Sequence, residues 1–123
     1  HSMPHEAWEG AVHPRGERPN IVLGDRFGAA ADSAIVDRLD AALSTAGLTV
    51  IRNAPFAGAY STQRYGRPAQ GQHVVQVEID RSLYMDEATI TPNANFANFR
   101  DVLTSVIAEI AGIGNDRLPV AAE

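Results

Sequence analysis

The stretch "HVVQVEIDRSLYMDE", residues 73–87, decides the fold. Its first half alternates with the period of a strand. Val75, Val77 and Ile79 share one face with His73, while Val74, Gln76, Glu78 and Asp80 share the other. A strand over 73–80 thus carries one apolar face and one that turns polar toward its C-terminal end. A carboxylate set among Val74, Val75, Val77 and Ile79 needs a reason. In open α/β sheets ligands gather beyond the carboxyl ends of strands, and an acidic side chain there suits general-base work. The plainer alternative is a salt bridge from Glu78 to Arg81 or another arginine.

Upstream of this strand lies "NAPFAGAYSTQRYGRP", residues 53–68, within a segment from 54 to 72 that reads as one long loop. Loops of that length are uncommon unless they bind something or are disordered. This one presents Tyr60, Arg64 and Tyr65 between glycines, and arginine can grip a carboxylate through two parallel hydrogen bonds. Before it, "PNIVLG" (19–24) and "LTVIRN" (48–53) read as buried strands. Between them Ile35, Val36, Leu39, Ala42, Leu43 and Ala46 recur at helical spacing, with Asp32 or Ser33 to cap the start and Gly47 to stop the end. "GDRFG" (24–28) reads as the turn that leads into this helix; its two glycines alone do not make a phosphate loop.

Downstream, a second helix is expected after Thr91-Pro92, with Pro92 near its first turn. Its apolar stripe is Phe96, Phe99, Leu103, Val106, Ile107 and Ile110, and Gly112 and Gly114 end it. Residues 1–18, punctuated by Pro4, Gly10, Pro14 and Gly16, read as loop, and the tail from Asn115 reads as frayed. The order strand, helix, strand, loop, strand, helix is an α/β order. Three strands make a thin sheet for two helices, which suggests that part of the domain lies elsewhere.

Composition narrows the chemistry. The chain has 123 residues and a net charge of −5, so it carries no electrostatic footprint for nucleic acid. Without cysteine, any metal must be held by His, Asp or Glu. Of the four histidines, His1 and His5 are four apart, but Pro4 argues against a helical pair, and HExxH is absent. No apolar run approaches the ~20 residues of a membrane helix, and no signal peptide is visible. The default reading is soluble and cytoplasmic.

Four segments in order, "HSMP" (1–4), "RPNIVLGDRFG" (18–28), "NAPFAGAYSTQRYGRPAQGQH" (53–73) and "QVEIDRSLYMDE" (76–87), resemble the N-formylglutamate amidohydrolase family. The resemblance implies an α/β/α sandwich around a mixed sheet, hydrolase-like and similar to the zinc carboxypeptidases. It implies a Zn²⁺-dependent hydrolysis of N-formyl-L-glutamate, or a related N-acyl amino acid, late in histidine degradation. His1 resembles a zinc ligand, and the Glu of "VEI", Glu78, resembles the general base. Arg26 and Arg64 become candidates for the oxyanion or a substrate carboxylate, and Asn53, Tyr60 and Tyr65 for orienting the substrate. The other zinc ligands expected upstream are not in this sequence. Residues 1–123 therefore read as the C-terminal part of one catalytic domain, with the missing N-terminal half as its partner and little activity alone. An aspartoacylase-like hydrolase on the same scaffold, and an inactive half-domain serving as a binding or assembly module, are the alternatives.

Overall fold

The computed structural model describes residues 1–113. A four-stranded mixed sheet is built from β1 (Ser2–Met3), β2 (Ile21–Gly24), β3 (Val50–Arg52) and β4 (Gln76–Asp80), in the spatial order β1-β4-β2-β3. β2 and β3 are parallel, as are β1 and β4, while β2 and β4 are antiparallel. The expected mixed α/β architecture is therefore present, with one more strand in this sheet than the sequence suggested. Ser2–Met3 lies in the segment read as loop. Two residues carry no readable period; they become a strand only by pairing with Ile79 and Asp80.

α1 (Ser33–Thr45) connects β2 to β3. Asp32 caps it, its carboxylate accepting the Ala34 N–H at 2.9 Å, and Gly47 leaves it with φ of +87°. Val36, Leu39, Ala42 and Leu43 of α1 are buried against Ile21, Leu23 and Val50 of the sheet. α3 (Phe96–Ala111) adds Val106 to the same cluster, with Ile110 packed beside it. Val77 and Ile79 of β4 meet this core from the sheet, so both long helices cover one face. Burial of such side chains is worth roughly 1.5–3 kcal/mol each and supplies most of the driving force. On the rim, Arg52 of β3 donates to Asp40 and Asp37 of α1, both at 2.8 Å. Partial burial works against the Arg52 charge, yet these carboxylates hold its pKa above the ordinary arginine value.

Three further expectations are corrected. The segment 54–72 contains α2 (Tyr60–Tyr65) and a 3-10 turn at Pro68–Gln70. α2 has no apolar stripe to read; only Thr62 of it is buried. Pro92 does not enter the second helix. It pairs with Met85 in a small hairpin of β5 (Met85–Asp86) and β6 (Thr91–Pro92), and the helix starts at Phe96. His73 precedes β4, and its Nδ1 accepts the Asp32 N–H at 3.1 Å, beside the start of α1. Residues 5–8 form a 3-10 turn that buries Trp8, packed edge-to-face on Phe56 at 5.9 Å. The expectations for Gly114 and the tail from Asn115 fall outside the described residues. Among the described residues no helix is long and apolar enough to cross a membrane.

Candidate active site

Strand β4 turns Val77 and Ile79 to the core and Gln76, Glu78 and Asp80 to the opposite face. Glu78 is only 3% exposed. Among the described residues no arginine bonds to it. Its Oε1 lies 3.0 Å from Nδ1 of His1 and accepts the Gln76 Nε2–H at 2.5 Å. Arg81 instead donates to the carbonyl and hydroxyl of Ser2. The other oxygen, Oε2, is buried without a hydrogen-bond partner. It is one of two such side-chain atoms among the described residues, the other being Nε1 of Trp8. A buried carboxylate oxygen normally finds a partner, because leaving it bare costs free energy.

His1 reaches Glu78 because β1 runs alongside β4. The His1 backbone nitrogen donates to the Val77 carbonyl at 2.9 Å, and the His1 carbonyl accepts the Ile79 N–H at 3.2 Å. The ring itself is largely exposed, with Nδ1 engaged by Glu78. A cavity of about 220 Å³ opens beside it, lined by His1, Ser61, Thr62, Gln76 and Val77 among others. The start of α2 is tied to the same place, since the Ala59 N–H donates to Oε1 of Gln76 at 2.8 Å. Gln76 thus links α2, which carries Tyr60, Arg64 and Tyr65, to the Glu78 carboxylate. Gln76 was not among the expected site residues, although its place on the polar face was legible.

Glu78 sits in the middle of β4 rather than at its carboxyl end, pairing with Val22 of β2. Because β4 opposes β2, the carboxyl ends of β2 and β3 meet the amino end of β4. Gly24 pairs with Gln76 there, and Asn53 follows β3. The Asp25–Gly28 turn is built by side chains. Asn53 Oδ1 accepts the N–H of Asp25 at 3.1 Å and of Phe27 at 3.3 Å, and Nδ2 donates to Asp25 Oδ1 at 2.7 Å. Asp25 Oδ2 in turn accepts the Gly28 N–H at 3.1 Å. These bonds hold Arg26 and Phe27 at φ of 58° and 55°, conformations costing roughly 1 kcal/mol each for ordinary residues. Such strain persists only where the surroundings over-determine it.

Arg26 is therefore presented by a braced turn, and its N–H is fixed on the Ala57 carbonyl at 2.8 Å. One Nδ2 hydrogen of Asn53 is not used in the bonds described. Tyr60 and Tyr65 are exposed, and the Arg64 guanidinium lies 5.6 Å from the Tyr65 ring centre. The structure brings His1, Glu78, Gln76 and the start of α2 together and sets the Arg26 turn at the same end of the sheet. Asn53→Ala strips the buried Asp25 of a donor and leaves two N–H groups bare, so it destabilises by about 2 kcal/mol in urea unfolding. A change below about 0.5 kcal/mol would show that solvent replaces the amide.

His5 and Asp80 form a second histidine–carboxylate pair, 2.7 Å apart, that sequence spacing gave no means to find. Among the described residues no three His, Cys, Asp or Glu side chains converge as a metal site. The donor set fits a zinc ion in kind, with an imidazole and a spare carboxylate oxygen at one place, but not in number.

A mixed α/β domain with a histidine–carboxylate site at the edge of its sheet is thus defined. The family described as N-formylglutamate amidohydrolase matches residues 1–85, which include every candidate site residue above. The chain belongs to the N-formylglutamate amidohydrolase family. It is 36% identical over 96 residues to the N-formylglutamate deformylase of Pseudomonas aeruginosa, covering 77% of this chain and 35% of that protein. It is 37% identical over 73 residues to that of Pseudomonas putida, covering 58% of this chain and 27% of that protein. The crystal structure of N-formylglutamate amidohydrolase from Ralstonia eutropha JMP134 superposes with a TM-score of 0.80 at 35% identity, over 95% of this chain and 42% of that one. A gene product of Agrobacterium tumefaciens shares the fold, with a TM-score of 0.50 at 22% identity over 93% of this chain and 41% of that one. The chain spans about a third or less of the length of the curated relatives it matches.

Proposed function

We propose that this chain is the base-bearing part of an amidohydrolase that cleaves N-formyl-L-glutamate, or a closely related N-acyl amino acid, to the free amino acid and formate or another carboxylate. The observation that carries this reading is the buried, unpartnered Oε2 of Glu78 beside the His1 imidazole. That oxygen is kept free for a partner that arrives with the reaction. In this reading Glu78 accepts a proton from the water that attacks the acyl carbon. It passes that proton to the amide nitrogen as the C–N bond breaks, leaving carboxylate and amine. Gln76 and His1 hold Oε1, which points Oε2 at the water.

His1 is the proposed zinc ligand in this chain, with the remaining ligands supplied by parts of the protein outside it. Zinc, when bound, supplies Lewis acidity for a carbonyl and for water. Arg26, braced by Asp25 and Asn53, and Arg64 are the proposed donors to the developing oxyanion and to the carboxylates of a glutamate-like substrate. Tyr60, Tyr65 and the spare N–H of Asn53 are proposed to orient that substrate. The complete protein is read as an α/β/α sandwich of the carboxypeptidase type, acting in the cytoplasm late in histidine degradation.

The test is a substrate panel on the complete protein that contains this chain. N-formyl-L-glutamate is expected to give the highest kcat/KM, with N-acetyl-L-aspartate and longer acyl groups at least tenfold lower. Hydrolysis of N-acetyl-L-aspartate above the formyl substrate would reassign the activity, and no hydrolysis anywhere in the panel would overturn it.

A further inference from the structure

We propose that His5 and Asp80 form a register lock that positions His1 on Glu78, an inference that rests on the reading of that pair just given. β1 is only two residues long, and so short a pairing is marginal by itself. Its place matters, because a slip of one residue turns every side chain of a strand to the other face. Glu78 and Asp80 are alternate residues of β4, lie on the same face and are each 3% exposed. His1 and His5 bracket β1. The pairing of Ser2 with Ile79 and Met3 with Asp80 sets His1 Nδ1 on Glu78 at 3.0 Å while His5 Nδ1 meets Asp80 at 2.7 Å. A slipped β1 breaks both contacts at once.

The His5 contact is built as an anchor. Asp80 Oδ1 accepts the Ser82 N–H at 2.9 Å, which leaves Oδ2 to the imidazole. Ser82 Oγ also lies 3.1 Å from the same ring nitrogen. The main chain of His5 is fixed at both ends, its N–H donating to Glu87 Oε2 at 3.0 Å and its carbonyl accepting from Arg18 Nη2 at 2.7 Å. The other ties on β1 end on Ser2, from Arg81 and from the Tyr84 hydroxyl. Among the ties described for the β1 segment, the His5 tie is the one that reaches a buried carboxylate on β4 outside the Glu78 site. Removing its imidazole leaves a buried charge short of a donor, which favours opening of the segment. His5 is thus a positioning residue, acting through His1 without touching substrate.

Amide hydrogen exchange of the complete protein that contains this chain, followed by NMR at fixed pH, tests this. The Ile79 N–H, which donates to the His1 carbonyl, reports the docking of β1. The Asp80 N–H, which donates to the Asn20 carbonyl across to β2, is the internal reference. In His5→Leu the Ile79 amide is expected to exchange about tenfold faster or more, with Asp80 nearly unchanged, since local opening need not involve the whole sheet. His5→Asn, whose side-chain N–H replaces Nδ1–H, is expected to restore protection. Should His5→Leu not fold, Asp80→Asn, which keeps the shape and removes the charge, is expected to show the same selective loss in smaller degree, with the Asn53 N–H on the Leu23 carbonyl as its reference. Unchanged Ile79 exchange, or equal loss at both amides, overturns the proposal. The readout needs neither zinc nor substrate, so a failed substrate panel sinks the functional reading without touching this one.

Discussion

Glu78→Gln in the complete protein lowers kcat by a factor of about 10²–10⁴ while the fold is retained. The substitution is nearly isosteric. The Gln76 side chain still has an oxygen to donate to, and the core-facing Val77 and Ile79 are untouched. What disappears is the basic Oε2, the atom the fold buries without a partner. Steady-state kinetics with N-formyl-L-glutamate checks the size of the loss, and circular dichroism with urea unfolding checks the fold. Zinc content separates two roles for the carboxylate. Unchanged zinc with lost turnover marks a general base. Zinc lost in parallel with turnover marks an orienter of the His1 ring, since metal-bound imidazoles commonly lean on a carboxylate. Turnover within threefold of the unsubstituted protein would remove Glu78 from the reaction altogether.

Gly24→Ala costs about 3 kcal/mol of stability, at the upper end of what added core volume costs. A Cβ at Gly24 stands 2.6 Å from the Gly58 nitrogen and 2.7 Å from the Ala57 carbonyl carbon. Both are backbone atoms, so no side chain can swing away. The Ala57–Ala59 segment is also pinned, by the Arg26 N–H on the Ala57 carbonyl and by the Ala59 N–H on Gln76. Relief must come from moving the loop off the strand, which pulls at the start of α2. Gly28→Ala is the contrast: its added methyl meets open space, and only a φ of +87° opposes it, for about 1 kcal/mol. Urea midpoints for the two variants decide the matter. Equal losses would mean that backbone conformation, rather than the approach of the loop, sets the cost.

Much of this fold was legible because its signals are local. The cap at Asp32 or Ser33, the apolar face of α1 and the stop at Gly47 all lie within one helix length; the structure uses Asp32 and buries Val36, Leu39, Ala42 and Leu43, while Ala46 ends the helix exposed. The alternation around Glu78 showed which residues share its face, because the period of a strand survives without knowledge of its neighbours. What escaped was made by distant partners. Ser2–Met3 is a strand only because β4 lies beside it. α2 has the sequence YSTQRY, with no stripe, and its first turn is held by a side chain of β4. Pro92 fits a helix start in sequence but is taken by the β5–β6 hairpin. The His5–Asp80 contact joins residues 75 apart, a separation that no local pattern encodes. Glu78 stood out from the strand pattern and His1 only through family resemblance, and their contact at 3.0 Å could not have been read from spacing.

The bond between His1 and Glu78 spans 77 positions of the chain. Translation at about 5–20 residues per second puts roughly 4–15 s between the synthesis of the imidazole and that of its acidic partner. Through that interval Ser2–Met3 lacks its pairing with β4, which is still unmade. Contacts of such high order form only after loop-closure entropy has been overcome. The nascent polypeptide therefore passes the ribosome with its chemistry unassembled, and the site matures only once β4 and the segment that clasps it have emerged.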